Sequence, residues 1–175
     1  MKLKDKIAIV TGGGSGFGEG IVRKFVAEGA RVVVADRDQA AAERVVGSLS
    51  GKAIAAVADI SNESGFASVV QKAHREFGGL DILVNNAGVG HTPQPLETVT
   101  DEMFDRIANV NMKSIYYGAK AVVPHFKQKK YGVVLNVAST GGVSPRPNLT
   151  WYNASKGWVI TATRAMAVEL APFGI

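Results

Sequence analysis

A tyrosine and a lysine stand four positions apart in TWYNASKGWV, residues 150–159, among small and apolar residues and with nothing acidic between them. Residues four apart project from one face of a helix, which would set Tyr152 and Lys156 side by side. A phenol of pKa about 10 needs roughly 4 kcal/mol to titrate near neutrality, at about 1.36 kcal/mol per unit. One cation at about 4 Å supplies on the order of that amount at an effective dielectric near 20. The pair therefore reads as an acid and base, with Tyr152 giving a proton in one direction and taking it in the other. The competing reading is a surface tyrosine beside a snorkelling lysine. The small neighbours Ala154, Ser155 and Gly157 weigh against it, because they suit a helix that something approaches closely.

The elements that must position this pair alternate along the chain. Apolar, β-branched runs at 7–10, 31–36, 53–58, 81–85 and 132–139 read as strands, and the longer segments at 16–29, 38–49, 62–77, 101–127 and 152–171 as helices. Runs that are apolar on both sides indicate a parallel sheet covered by helices on both faces. The expected fold class is α/β, a doubly wound parallel sheet in a three-layer α/β/α arrangement, as one domain over 1–175. Such a sheet binds ligands beyond the carboxyl ends of its strands, so the residues that follow each strand carry the information.

After the first strand comes TGGGSGFGEG, residues 11–20, with five glycines from Gly12 to Gly18. Glycines permit a tight turn and close approach to a pyrophosphate, and the following helix N-terminus favours an anion. The spacing fits T-G-x-x-x-G-x-G on Thr11, Gly12, Gly16 and Gly18; G-x-G-x-x-G fits no frame, and the lysine of a P-loop is absent. Asp36 ends the second strand, 18 residues past Gly18, where a carboxylate accepts from a ribose diol and repels a 2′-phosphate. That argues for NAD(H) over NADP(H), while Arg37 is placed to stack on adenine or grip a phosphate. A turn or a helix cap is the plainer reading of Asp36. Asp59 is open both to an adenine amino group and to a helix start.

Taken together, these residues resemble the short-chain dehydrogenases/reductases. The shared features are the Thr11–Gly18 turn, Asp59, NNAG at 85–88, Asn111 in NVNMKS, Ser139 in NVASTGG and Tyr152-x-x-x-Lys156, and the likeness runs from Lys6 onward. The resemblance implies a Rossmann fold and hydride transfer between a nicotinamide cofactor and a ketone or secondary alcohol. It implies a catalytic set of Asn111, Ser139, Tyr152 and Lys156: Ser139 holds the substrate oxygen, Lys156 also reaches the nicotinamide ribose, and Asn111 supports a water leading protons outward. The cofactor would lie against Thr11, Gly12, Ser15, Gly16, Phe17, Gly18, Asp36, Arg37, Asp59, Ile60, Asn86, Ala87 and Gly88, with Tyr152 and Lys156. It also implies a homotetramer through the helices at 101–127 and 152–171, with Trp158, Val159 and Met166 as interface candidates, although core packing is the simpler reading for any one of them. Two other activities remain open: a 3-oxoacyl-acyl-carrier-protein reductase using NADPH, and a non-catalytic dinucleotide sensor.

The chain departs from the family pattern in places. Ala138-Ser139 stands where many members have two serines, and Phe17 where an aliphatic residue is usual. The chain stops at ELAPFGI where relatives continue into further strands, so C-terminal strands are expected to be missing and the last strand to expose an apolar edge. Substrate choice is assigned to loops at 89–98 and 141–151, the second containing Arg146, an exposed loop arginine on the plainer reading.

Composition excludes several classes. With no cysteine among 175 residues there is no disulfide, thiolate catalysis or cysteine-based zinc site, and a reducing, cytoplasmic setting is expected. His74, His91 and His125 read as too far apart for a metal pair, so no metal is expected, and His91 reads as a loop residue. No 18 apolar residues run together, so no membrane span is expected. The net charge of +5 is scattered, with HFKQKKYG at 125–132 the densest cluster, so no nucleic-acid partner is expected.

Overall fold

The computed structural model describes residues 1–49 and 51–175. Five strands, β1 (Ile7–Thr11), β2 (Arg31–Asp36), β3 (Ala53–Val57), β4 (Ile82–Asn85) and β5 (Val133–Asn136), form one sheet in the order β3-β2-β1-β4-β5. Every pairing is parallel, with Val10 opposite both Val34 and Val84. The order reverses between β1 and β4, the position where a crevice opens beyond the strand ends.

Alternation along the strands divides the core into two layers. Ile7, Ile9, Val33 and Leu83 point to one face and meet Phe66 and Val69 of α3 (Glu63–Phe77) and Val122 and Phe126 of α5 (Ser114–Lys129). Ala8, Val10, Val32, Val34 and Val84 point to the other and meet Val22 of α1 (Gly16–Ala27) and Ala42 and Val45 of α2 (Gln39–Gly47). A central strand covered on both faces leaves no position for a polar side chain, which explains the unbroken apolar runs. β5 is different: Val133 and Leu135 are 43% and 44% exposed, so this edge is apolar and open.

Helix starts follow their caps. Asp38 accepts from Ala41 N at 3.0 Å to begin α2, Asn62 from Gly65 N at 2.8 Å to begin α3, and Thr100 from Met103 N at 3.3 Å to begin α4 (Asp101–Ile107). Capping of α2 by Asp38 leaves Asp36 free of that task.

Three expectations need correction. The helix expected over 101–127 is not continuous: α4 passes through a π-helical turn, Ala108–Lys113, before α5 begins. His74 and His125, distant in sequence, are brought together by the packing of α3 on α5, with ring centroids 4.6 Å apart in an edge-to-face arrangement. Burial, with the nearby charges of His125 and Lys129, pushes the His74 pKa below its ordinary value. No group of three or more metal-ligating side chains gathers there or elsewhere among the described residues. The strand expected over 132–139 is shorter, since β5 ends at Asn136 and Ser139 lies in the loop beyond it. Val159 is fully buried in the fold, as the core reading has it; Trp158 is partly exposed and Met166 half-buried.

Candidate active site

The glycine turn is shaped by backbone. Gly12 and Gly16 have φ of +62° and +52°, in the left-handed region that glycine occupies without strain. A Cβ placed on Gly18 would lie 2.0 Å from Gly12 O, so α1 packs against the turn only because that atom is missing. The Gly14 peptide is held at both ends: its N–H donates to Asp36 Oδ2 at 2.9 Å, and its carbonyl accepts from Arg44 Nη2 at 2.8 Å. Arg44, helped by Arg23, also holds the Glu19 carboxyl at a pKa of about 2. Ser15 caps α1 without a side-chain bond, so no side chain closes the positive end of the helix.

Across the switch point, Thr11 and Asn86 staple β1 to β4. Thr11 Oγ1 donates to Val84 O and accepts from the backbone N–H groups of Asn86 and Ala87 at 3.0 and 3.1 Å. Asn86 Nδ2 returns to Thr11 O and Gly12 O at 2.9 and 3.2 Å. Between these ends opens a cleft of about 400 Å³. Gly12, Ser15, Gly16, Phe17 and Gly18 line it from the turn, Asp36 and Arg37 from the end of β2, Asp59 and Ile60 from the end of β3, and Asn86, Ala87 and Gly88 from the end of β4. Thr11 lies beneath the floor, buried, and Phe17 stands 87% exposed at the rim. Asp36 Oδ1 takes Asp38 N at 3.1 Å, so each carboxylate oxygen has one bond and keeps a second lone pair. Hydrogen bonds from Ser61, hydroxyl then backbone, and the charge of Arg37 hold the Asp59 carboxyl below the usual carboxylate range.

No side chain of α6 (Thr150–Leu170) lines this cleft; α6 approaches it at Gly88. Lys156 is 5% exposed and its Nζ donates to Val137 O at 2.9 Å; burial of the ammonium lowers its pKa. A Cβ on Gly88 would lie 3.2 Å from that Nζ and 3.5 Å from Asn111 Oδ1, and one on Gly90 would lie 3.5 Å from the Tyr152 ring. Tyr152 and Lys156 thus project from one face of α6 onto one short segment, residues 88–90. Asn111 sits in the π turn, 2% exposed: Oδ1 accepts from Val89 N at 2.8 Å, and Nδ2 donates to Val89 O and Ser155 Oγ, each at 2.9 Å. A π turn is a frequent device for re-aiming a side chain at a site. Here it lets Asn111 clamp the loop after β4 to α6.

Ser139 follows β5 and its Oγ accepts from Gly141 N at 3.1 Å. The loop it starts lies flat on α6: a Cβ on Gly142 would lie 2.7 Å from the Lys156 carbonyl carbon, and Asn153 Nδ2 donates to Arg146 O at 2.7 Å. The two loops assigned to substrate choice meet as well, Gln94 N donating to Asn148 O at 3.0 Å. Val89, Val110, Val137, Asn153 and Ser155 were not legible as site residues. Only Ser155 left a trace, as one of the small residues around Lys156.

A family profile described as short chain dehydrogenase matches residues 6–175. The chain belongs to that family. It is 45% identical, over its whole length, to the 4-formylbenzenesulfonate dehydrogenase of Comamonas testosteroni, spanning 71% of that protein. Among solved structures, a 3-ketoacyl-(acyl-carrier-protein) reductase from Brucella melitensis complexed with NADH superposes with a TM-score of 0.97 and 52% identity, covering 99% of this chain and 72% of that one. An NAD⁺-bound xylitol dehydrogenase superposes with a TM-score of 0.95 and 31% identity, covering 100% of this chain and 68% of that one. This short-chain dehydrogenase is accordingly an oxidoreductase of CH–OH groups. Among its described residues no helix is long and apolar enough to cross a membrane.

Proposed function

We propose that the protein interconverts a ketone and a secondary alcohol with NAD(H), Tyr152 being the general acid and base. The observation that carries this reading is the projection of Tyr152 and Lys156 from one helix face onto residues 88–90, beside a cleft that also holds an uncapped helix N-terminus and the Asp36 carboxylate. Those residues fit a dinucleotide: the pyrophosphate against Gly12–Gly18 and the start of α1, the adenosine ribose diol on the lone pairs Asp36 keeps. When bound, the nicotinamide supplies or accepts the hydride. The chain does the rest. Tyr152 Oη delivers a proton to the substrate oxygen in reduction and removes it in oxidation, and Ser139 Oγ donates to the same oxygen. Lys156, buried and on the same helix face as Tyr152, would hold the nicotinamide ribose when the cofactor is bound. Asn111 keeps residues 88–90 in place and supports a water that carries protons outward.

NAD(H) is preferred because the Asp36 carboxylate repels a 2′-phosphate, and the 52% identical neighbour carries NADH. That neighbour's name favours a second reading, reduction of a 3-oxoacyl thioester. Self-association into a tetramer is consistent with a groove of about 500 Å³ between α5 and α6, lined by Tyr116, Val123, Met166 and Leu170.

The test is NADH consumption with acetoin, D-xylulose and an acetoacetyl thioester, in the wild type and in Tyr152→Phe. The expected outcome is turnover with at least one carbonyl, and loss of about 10²–10⁴-fold in Tyr152→Phe with NADH binding retained. Equal turnover in the two proteins removes Tyr152 from the reaction, and binding without turnover of any carbonyl favours a sensor. In Asp36→Ala the NADH/NADPH ratio should fall; an unchanged ratio discards the ribose contact.

A further inference from the structure

A chain of three polar side chains, none of them facing the cleft, joins the sheet to α6. Asn85 and Asn136 sit opposite each other at the carboxyl ends of β4 and β5, and Asn85 Nδ2 donates to Asn136 Oδ1 at 2.8 Å. Asn136 Nδ2 donates to Thr163 Oγ1 at 2.9 Å, and Thr163 Oγ1 donates to Val159 O at 2.7 Å. A hydroxyl has one proton; spent on Val159 O, it leaves Thr163 as an acceptor for Asn136, which turns the Asn136 oxygen toward Asn85. Asn85 is buried, and its Oδ1 has no partner, so the chain ends on a bare carbonyl oxygen beside Gly118 of α5.

The position of Thr163 gives this chain a purpose. Tyr152, Lys156, Val159 and Thr163 follow one another at spacings of 4, 3 and 4, so they form one stripe of α6. Thr163 lies two turns, roughly 10 Å, beyond Lys156. Lys156 Nζ already bonds Val137 O, and the residue before Val137 is the Asn136 that Thr163 holds. Two attachments that far apart hold α6 to β5 along its length, whereas the Asn111–Ser155 and Asn153–Arg146 bonds hold only its first two turns. Ser139 comes three residues after Asn136, so the bond that fixes α6 on β5 also fixes Tyr152 relative to Ser139.

We propose that Thr163 is a positioning residue for the reaction, pinning α6 to the ends of β5 and β4 through Asn136 and Asn85 and thereby setting Tyr152 and Lys156 against Ser139. This rests on the reaction proposed above, and its test separates the two. Thr163→Val keeps the shape and removes the hydroxyl; Thr163→Ser keeps the hydroxyl. Both are assayed well below their thermal midpoints with the carbonyl of the three that the wild type reduces fastest, and NADH binding is followed by its fluorescence. Thr163→Val should lose about tenfold or more in kcat, since misplacement of about 1 Å costs up to roughly 10²-fold, with the NADH Kd within about twofold and Thr163→Ser within about threefold of wild type. Wild-type kcat in Thr163→Val overturns the proposal. So does an equal loss in Thr163→Ser, or a loss of NADH binding in parallel with kcat, which marks general damage. If Thr163→Val fails to fold, a tenfold kcat loss in Asn136→Ala with NADH binding intact supports the pin, and wild-type kcat in that variant overturns it. Should Tyr152→Phe retain turnover, the reaction itself is misread; should it lose turnover while Thr163→Val does not, only the positioning role fails.

Discussion

Around Gly12–Gly18 the candidate site is walled by backbone, and around Tyr152 it is held by side chains that bridge distant elements. The first wall depends on missing atoms: a Cβ on Gly14 would lie 2.9 Å from both Ala41 Cβ and Asp36 Oδ2, and one on Gly18 2.0 Å from Gly12 O. The second depends on amides spanning sequence gaps, Asn111 to Val89 and Ser155, and Asn136 to Thr163. This backbone wall has no room for an added atom at Gly14 or Gly18, yet asks little of its neighbours. A side-chain wall tolerates substitution poorly in a different way, because each lost amide orphans buried partners.

Substitutions in each wall sharpen that contrast. Gly18→Ala should do the most damage to cofactor binding: overpacking against backbone costs about 1–3 kcal/mol, which is about 5- to 150-fold in NADH affinity by titration. Unchanged affinity would mean that α1 shifts freely and that the backbone wall is not rigid. Asn111→Leu orphans Val89 N and O, each worth about 1–3 kcal/mol if it stays buried, while the Ser155 hydroxyl keeps its bond to Tyr152 O. We expect a lower thermal midpoint and a kcat loss larger than any change in NADH Kd. Proportional losses in both would erase the distinction between the walls. Weakest is an effect outside either wall. The folded-state pKa of His74 is depressed, so below the unfolded value of about 6.5 the unfolded chain binds a proton that the folded one refuses. Stability should therefore fall as pH drops through about 6.5 and level off below the folded value. Denaturation curves of His74→Gln should show a smaller fall; an identical pH dependence would show that burial of this imidazole has no cost.

The contrast also explains what was legible in the sequence. A backbone wall announces itself as glycines at fixed spacing, and Asp36, Asp59 and Asn86 each directly end or follow a strand, so the topology alone delivers them to one cleft. The central strands β1, β2 and β4 were recovered because strands covered on both faces are apolar throughout; the fifth was read over 132–139, past its end at Asn136, because the apolar run continues into the loop that carries Ser139. What stayed hidden required knowing which elements touch. Val137 contributes only a carbonyl, which no side-chain type reveals, and Asn153 looks like any polar residue on a helix. His74 and His125 meet only because α3 packs on α5. The helix over 101–127 was drawn unbroken because nothing in ANVNMK signals a wider turn, and a hydrophobic period is too coarse to register a single extra residue.

That wider turn constrains how the chain can change. A π turn takes up about one residue more than an α turn does, so deleting one residue within Ala108–Lys113 would restore a regular helix and leave α4 and α5 nearly in their present phase. What would change is the aim of the residues inside the turn, and Asn111 would leave Val89 and Ser155. Length in this six-residue stretch therefore matters to the site as much as the identity of Asn111 itself, and a single-residue deletion here should cost activity more than it costs the packing of α4 and α5.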